Sequence, residues 1–244
     1  MTGVEVEISI EASVRLPPVS RHDSAAHRCT ECRMHRTLCI CALIPRVETR
    51  TRVLVILHQL EDRKPTNTGR LAARCLVNAA VSARGGGAPA PLWQGTQPVL
   101  LFPHPDAHPL EEWRDGPRPL TLVVPDGTWR QANKARRRVE GLADLPCVAL
   151  PPAVRSSYRL RHDRRPDRVS TIEAVALALR ILEGPSAAEP LERIFRIMVD
   201  RTLWTNGRIA TGEVTGGIPA GVRAHDPLGA APALRSHIAA PVDR

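Results

Sequence analysis

Apolar positions in this chain cluster into short runs separated by longer amphipathic or polar stretches. "RVLVILHQL" (52–60) is a β-branched and leucine run bounded by charge. That pattern marks a strand covered on both faces. "PVLLFP" (98–103), "LTLVVPDG" (120–127) and "CVALPP" (147–152) repeat it. Between the runs the spacing becomes helical. The polar segment that ends in Thr66, Asn67 and Thr68, any of which could cap a helix, leads into a stretch read as helical through "VNAAV". Leu71, Cys75 and Leu76 share one face of it. A second helix is predicted from about Trp129 to Glu140. In "STIEAVALALRILEG" (170–184), Ser170 and Glu173 have capping-box spacing and Gly184 is the stop. A last helix is predicted over 187–204. Alternating strands and helices predict an α/β fold with a largely parallel sheet. In such sheets ligands bind beyond the carboxyl ends of the strands.

Composition narrows the partner. The 244 residues are 43% hydrophobic but only 3% aromatic, so the core must rest on Leu, Val, Ile and Ala. Net charge is +9, nearly all from arginine, with Lys64 and Lys134 the only lysines. A GC-rich genome would explain such a bias without function. A polyanionic partner, nucleic acid above all, explains it through the phosphate-binding fork of arginine. No stretch approaches the roughly 20 apolar residues of a membrane-spanning helix. Residues 1–27, read as a flexible leader, lack the basic start and apolar block of a signal peptide. A cytoplasmic protein is expected, with reduced thiols.

Four of six cysteines sit in "RCTECRMHRTLCIC", as Cys29-x2-Cys32-x6-Cys39-x-Cys41. Four thiolates this close in sequence can close a tetrahedral zinc site. With four protein ligands, the metal would be structural. A redox pair at Cys29 and Cys32 is the rival reading, but it lacks the helix N-terminus that depresses a thiol pKa. His27 and His35 are near enough to replace a thiolate. Cys75 and Cys147 read as small buried hydrophobes. The knuckle spans 28–46, a catalytic domain 47–204, and a Gly-, Pro- and Ala-rich tail, expected to be disordered, 205–244.

The loops after the four strands carry the polar chemistry. "PDGTWR" places Asp126, Thr128 and Trp129 at a strand end. Each has a bland reading: turn, helix cap, core plug. Arg130, Lys134 and Arg137 then fall at i, i+4 and i+7, a basic stripe that is either solvated or tracks phosphate. "RSSYRLRHDRRPDR" sets Tyr158, the only tyrosine, among six arginines, where it could stack on a base. No Walker loop, dinucleotide fingerprint, zinc-protease motif or nucleophile elbow is present.

The ordered set "CTEC…LCIC", "HQLEDRKPTNTGRL", "PDGTWRQANKARRR", "YRLRH" and "STIEAVALAL" resembles the DTW-domain family over about 28–200. The Asp-x-Thr-Trp signature is Asp126, Thr128 and Trp129. The resemblance implies a SPOUT-like fold: a largely parallel sheet with helices on both faces, knotted near its C-terminal end, and an N-terminal zinc knuckle. It implies transfer of the 3-amino-3-carboxypropyl group of S-adenosylmethionine to N3 of a tRNA uridine, in the variable loop, with 5′-methylthioadenosine released. Asp126 could then take or accept the N3 proton, Thr128 bond a carbonyl, and Trp129 stack on a ring. Leu150, Pro152, Ser170, Thr171 and Glu173 are the expected cofactor contacts. Asn67, Thr68, Arg70, Arg130, Lys134, Arg137, Tyr158, Arg159 and Arg161 are the expected RNA contacts. Enzymes of the SPOUT class are often dimers, so a homodimer is a further expectation. Two alternatives remain: a SPOUT-like RNA methyltransferase, and a zinc-containing RNA-binding protein without activity.

Overall fold

The run after Thr51 forms β1 (Arg52–His58), in which Val53 to Leu57 are all buried. In the computed structural model, which describes residues 27–58, 64, 66–84, 95–152, 155–160 and 169–222, five more strands follow. They are β2 (Ala79–Arg84), β3 (Gln97–Leu101), β4 (His108–Pro109), β5 (Leu120–Asp126) and β6 (Cys147–Ala149). Every neighbouring pair is parallel, in the order β2-β1-β5-β3-β6-β4. The helices are α1 (Thr68–Cys75), α2 (Trp129–Arg138), α3 (Thr171–Glu183) and α4 (Pro185–Thr205).

The strict side-chain alternation of strands sorts the core into two layers. Val53, Val55, Val99, Leu122 and Val124 join a cluster with residues of α1, α3 and α4. Leu54, Ile56, Leu100 and Val123 join a second with Ala132 and Ala135 of α2. Helices therefore cover both faces of the parallel sheet, as expected. Gly184 ends α3 at φ 96°, a left-handed conformation that favours glycine, and Pro185 opens α4 at once.

Three local expectations need correction. The helix predicted through Val81 stops at Cys75, and "AAVSAR" is the edge strand β2. Alanine favours helix, but tertiary pairing overrides it. Val47 bridges Leu76, and Asn78 Nδ2 donates to the Thr49 carbonyl (2.7 Å), turning the chain out of the helix. Residues 104–119, which the sequence reads as a Pro-rich connection with one helical turn, hold that turn as a 3-10 helix, Leu110–Trp113, and also the short strand β4. The tail does not leave the fold at residue 205. Trp204 Nε1 donates to Thr211 Oγ1 (3.0 Å), Thr215 donates from N and Oγ1 to Asp200 Oδ2 (3.1 and 2.6 Å), and Val214 is buried. The leader to residue 26, the Gly-Pro segment 85–90 and the tail from 223 lie outside the described residues. Among the described residues no helix is long and apolar enough to cross a membrane.

Candidate functional site

A cavity of about 680 Å³ opens at the carboxyl ends of β3, β5 and β6. That volume suits a nucleoside-sized ligand. Leu101 and Phe102 after β3, and Leu150 to Pro152 after β6, give it apolar walls. The start of α1 brings Asn67 and Thr68, and the start of α3 brings Ser170 and Thr171. α3 begins beside the end of β5, although β6, the preceding strand, lies two places away in the sheet. Residues 150–152 after β6 and residues 169–171 at the start of α3 thus line the same cavity.

Asp126, the last residue of β5, sits in the cavity lining at 6% exposure. Asn67 Nδ2 donates to its Oδ2 (2.7 Å), and Thr171 Oγ1 donates to its Oδ1. One carboxylate therefore ties the first turns of α1 and α3 to the end of β5. Gly69 makes this possible: a Cβ there would lie 2.7 Å from Asp126 Cγ. Asn67 also caps α1 by accepting from the Arg70 amide (2.6 Å).

Thr128 has the structural role its bland reading assigns. It caps α2 in a full capping box: its Oγ1 accepts from the Gln131 amide (3.3 Å), and its amide donates to Gln131 Oε1 (2.7 Å). Gly127 adopts φ 136°, and a Cβ there would meet Gln131 Oε1 at 2.8 Å. Trp129 opens α2; its side chain lies outside the described residues.

Of the residues expected to contact cofactor, Leu150, Pro152, Ser170 and Thr171 line the cavity. Glu173 does not. Its carboxylate accepts from the Ser170 and Ser157 amides (2.7 and 2.6 Å) and from the Ser156 and Ser157 hydroxyls (2.8 and 2.9 Å). It anchors the returning loop instead. Ser170 Oγ is the opposite case. It is fully buried and, although it stands in the capping-box position over the Glu173 amide, makes no side-chain hydrogen bond among the described residues. A buried hydroxyl of this kind implies a missing partner.

The residues expected to contact RNA divide. Asn67 and Thr68 belong to the cavity. Arg70 points to a separate small cleft beside the cysteine knuckle. Arg130, Lys134 and Arg137 are exposed along α2, as their spacing predicts. Tyr158 lines the cavity, but its ring packs on Phe195 with centroids 5.4 Å apart and its hydroxyl donates to the Thr66 carbonyl (3.2 Å). Arg159 forms an ion pair with the buried Asp200. Arg161 lies outside the described residues.

The four knuckle sulfurs all lie within 4.8 Å of one another. Cys29 and Cys41 Sγ are 3.7 Å apart, and Cys32 and Cys39 Sγ 3.6 Å. A tetrahedron of thiolates about 2.3 Å from a metal has edges of about 3.8 Å, so the donor set fits one thiophilic cation. Burial works to raise the Cys29 thiol, but the Cys32 and Glu31 amides and hydrogen bonds from Cys39 and Cys41 outweigh it and lower it to about 7. Burial pushes Cys32 and Cys39 up. Four thiolates cannot share this volume without a cation among them. His27 and His35 stack on each other, outside the cluster.

Sequence reasoning missed what seats the knuckle. Arg201 of α4, 4% exposed, donates from Nη1 to the Leu38 and Cys39 carbonyls (3.2 and 3.0 Å) and from Nη2 to the Gly217 carbonyl (3.3 Å). Arg74 Nη2 lies 3.6 Å from Cys41 Sγ and 3.8 Å from Glu31 Oε2. The charged pair Asp200-Arg201 inside an otherwise apolar inward face of α4 was the available signal for Arg201.

Comparison with known proteins gives this geometry a lineage. The chain is 26% identical over 189 residues to tRNA-uridine aminocarboxypropyltransferase 2 of Macaca fascicularis, covering 72% of this chain and 60% of that protein. It therefore spans less than two thirds of that relative's length. It is 27% identical over 179 residues to tRNA-uridine aminocarboxypropyltransferase 2 of Drosophila melanogaster, covering 68% and 71%. Among solved structures, the SAM-dependent rRNA:acp-transferase Tsr3 from Vulcanisaeta distributa is similar at 20% identity and a TM-score of 0.42, over 68% of this chain and 80% of that one. The model of the DTW domain matches residues 26–203, from the knuckle to the end of α4. Knuckle, Asp126 signature and capped α3 thus fall within one match, and the chain belongs to the DTW domain family.

Proposed function

We propose that this chain is a tRNA-uridine aminocarboxypropyltransferase. It moves the 3-amino-3-carboxypropyl group of S-adenosylmethionine to N3 of a tRNA uridine in the variable loop and releases 5′-methylthioadenosine. The observation that carries this reading is the placement of Asp126, held by Asn67 and Thr171 in the lining of a nucleoside-sized cavity. The similar macaque and fly proteins are named tRNA-uridine aminocarboxypropyltransferases.

The reaction forms a bond between uridine N3 and the γ-carbon of the methionine moiety, and breaks the bond from that carbon to sulfur. The sulfonium supplies a leaving group that departs with its electron pair as a neutral thioether. The N3 proton must go to a base before or during attack. Asp126 is the candidate. Asn67 and Thr171 fix the orientation from which it meets N3–H. Ser170 Oγ is the hydroxyl that would bond a polar group of the co-substrate, with Leu101, Phe102 and Leu150 against its adenine. Trp129 is assigned to stacking on uracil or adenine. Thr128 sets the start of α2.

The knuckle is read as a structural zinc site, because all four ligands come from the chain. The exposed Arg130, Lys134 and Arg137 are read as phosphate contacts. A SPOUT-like, knotted ending is part of the reading, supported by the start of α3 beside the end of β5, two places from β6 in the sheet. So are a homodimer and a cytoplasmic location.

Mass spectrometry of nucleosides from unmodified tRNA, incubated with the protein and S-adenosylmethionine, tests the reading. A uridine heavier by one aminocarboxypropyl group, with methylthioadenosine released, is the expected result. A methylated nucleoside with S-adenosylhomocysteine would replace the reaction by methylation. No product across several tRNAs, from metal-loaded protein, would leave an RNA-binding protein.

A further inference from the structure

A groove of about 330 Å³ lies between α3 and α4. Its floor is apolar: Ile172 and Ala176 come from α3, Leu191 and Phe195 from α4, and all four are buried. The loop before α3 adds Arg155 and Ser157. The volume is at the small end for ligand pockets and suits one base with its sugar.

The groove shares a wall with the cavity. Tyr158 lines the cavity and Phe195 lines the groove, and their rings pack with centroids 5.4 Å apart. Along α3 the same division holds: Thr171 and Ala174 line the cavity, while Ile172, Glu173 and Ala176 line the groove. A strand whose uridine occupies the cavity need only cross the Tyr158–Phe195 pair to set a neighbouring nucleotide in the groove.

The charge on the rim selects the occupant. Two carboxylates line the groove, and both are engaged. Glu173 accepts from the Ser156 and Ser157 hydroxyls and from the Ser157 and Ser170 amides. Glu192 accepts from Arg180 Nη2 (3.0 Å). Arg155 and Arg196 are exposed on the rim, and neither has a hydrogen bond or ion pair among the described residues. Apolar floor and unspent guanidinium groups together match a base and its phosphate. An apolar peptide anchor would fill the floor but leave both arginines unused.

We propose that this groove seats a nucleotide adjacent to the target uridine on the same RNA strand, its base on the apolar floor and its phosphate held by Arg155 and Arg196. The inference rests on the transfer reading for the identity of the strand. Arginine suits the rim because its planar fork binds phosphate oxygens in pairs and never loses its charge. An apolar floor accepts the face of any base, so the groove aligns the strand without reading its sequence. The Tyr158–Phe195 pair is then the divider that splays the two bases apart.

The test uses the full, metal-loaded chain with unmodified tRNA transcripts, and dissociation constants measured over a range of salt. Arg155→Gln and Arg196→Gln should each keep the wild-type melting temperature, since neither side chain has a described partner to lose. Each should weaken binding about two- to fivefold and make the slope of log affinity against log salt shallower by about 0.7, the value for one phosphate on a single strand. The double variant should lower that slope by about 1.4. Transcripts lacking the base on the 5′ or the 3′ side of the modified uridine test the floor. One of the two should bind wild-type protein about fivefold or more weakly, with the slope unchanged. An unchanged slope in the double variant would overturn the proposal, and wild-type tRNA binding and transfer by that variant would leave the groove to a protein partner. Equal affinity for the intact transcript and both base-lacking ones would overturn it as well. Shallower slopes in the variants of a protein that forms no aminocarboxypropyl-uridine would instead sink the transfer reading and leave an RNA groove standing.

Discussion

Asn67 and Asp126 are 59 residues apart in sequence and joined by a 2.7 Å hydrogen bond between Nδ2 and Oδ2. Asn67 has two jobs, since its Oδ1 also caps α1. The cap needs only an acceptor, whereas the bond to Asp126 needs a donor. The two substitutions that separate these roles are therefore informative.

Asn67→Ala removes both, and should cost about 2–4 kcal/mol, combining a lost cap with a lost bond to a carboxylate. Asn67→Asp keeps the cap acceptor but sets a second carboxylate against Asp126. Transfer by Asn67→Asp should fall at least tenfold even where its stability exceeds that of the alanine variant. Denaturant unfolding and nucleoside product yield, measured on both, check the separation. Equal transfer by Asn67→Asp and wild type would remove Asp126 orientation from the mechanism.

Gly69→Ala sets two effects against each other. Alanine favours helix over glycine by about 1 kcal/mol. The added Cβ would lie 2.7 Å from Asp126 Cγ and 3.0 Å from both its oxygens. That carboxylate is buried and held at both ends, so it cannot swing aside cheaply. Overpacking, at about 1–3 kcal/mol, should win. The variant is expected to unfold at lower temperature and to lose most transfer activity. A stabilised variant would show that Asp126 is free to move.

Thr128→Ala should cost about 1 kcal/mol through loss of the α2 cap, and Thr128→Ser should restore it. Chemical denaturation of the two variants measures this. The signature threonine is then mainly architectural, and both variants should retain transfer within about tenfold when assayed well below their melting temperatures. Full stability with abolished transfer in Thr128→Ala would move its hydroxyl into the chemistry.

The elements whose logic is local were legible from sequence. The Thr51 to His58 run, the Ser170–Gly184 helix and the cysteine spacing each announce themselves within a few turns of chain. β2 was not legible, because its alanines carry helical preference and its strand pairing is decided by β1 and Asn78. The topology of parallel sheets brings Leu150 to Pro152, Ser170 and Thr171 to the strand ends, as the sequence led one to expect. Their division of labour was not visible. Ser170 and Glu173 have equal standing in a capping motif, yet one is a buried hydroxyl at the cavity and the other anchors Ser156 and Ser157. Arg201 reaches the knuckle across 162 residues, a distance at which sequence periodicity carries no signal.

Cys75 gives a pH prediction independent of the metal. Burial raises its thiol to about 12, against opposing fields from Arg74 and Arg46, and its Sγ donates to the Leu71 carbonyl (3.1 Å). The folded state therefore holds this proton when the unfolded chain, near 9.0, releases it. The associated stability is complete below about pH 9 and is lost as pH rises toward 12. Unfolding free energy followed from pH 8 to 11 should fall for wild type and fall less steeply for Cys75→Ala, whatever the offset between them. Parallel slopes would mean that another group controls the alkaline limb. Alkylation of Cys75 at pH 8 should be blocked until the chain unfolds.

Arg201 should be the most sensitive position outside the cavity. Its guanidinium is buried, and burial lowers its pKa while the Cys39 and Cys32 thiolates pull it back up. Three carbonyls depend on it, two of them on the knuckle. Arg201→Met keeps length and apolar contact but leaves all three carbonyls without their donor, so a loss of about 3 kcal/mol is expected. Arg201→Lys keeps charge but not the planar fork, and should recover less than half of that loss. Removing the metal with a chelator should act on the same contact from the other side. The Leu38 and Cys39 carbonyls are placed by the ligand turn, so the demetallated wild type should lose most of what Arg201→Met loses. The two perturbations should then combine to less than their sum. Thermal unfolding of wild type and Arg201→Met, each with and without chelator, closes that cycle. Strict additivity would mean that Arg201 holds Gly217 and α4 together but does not read the state of the knuckle.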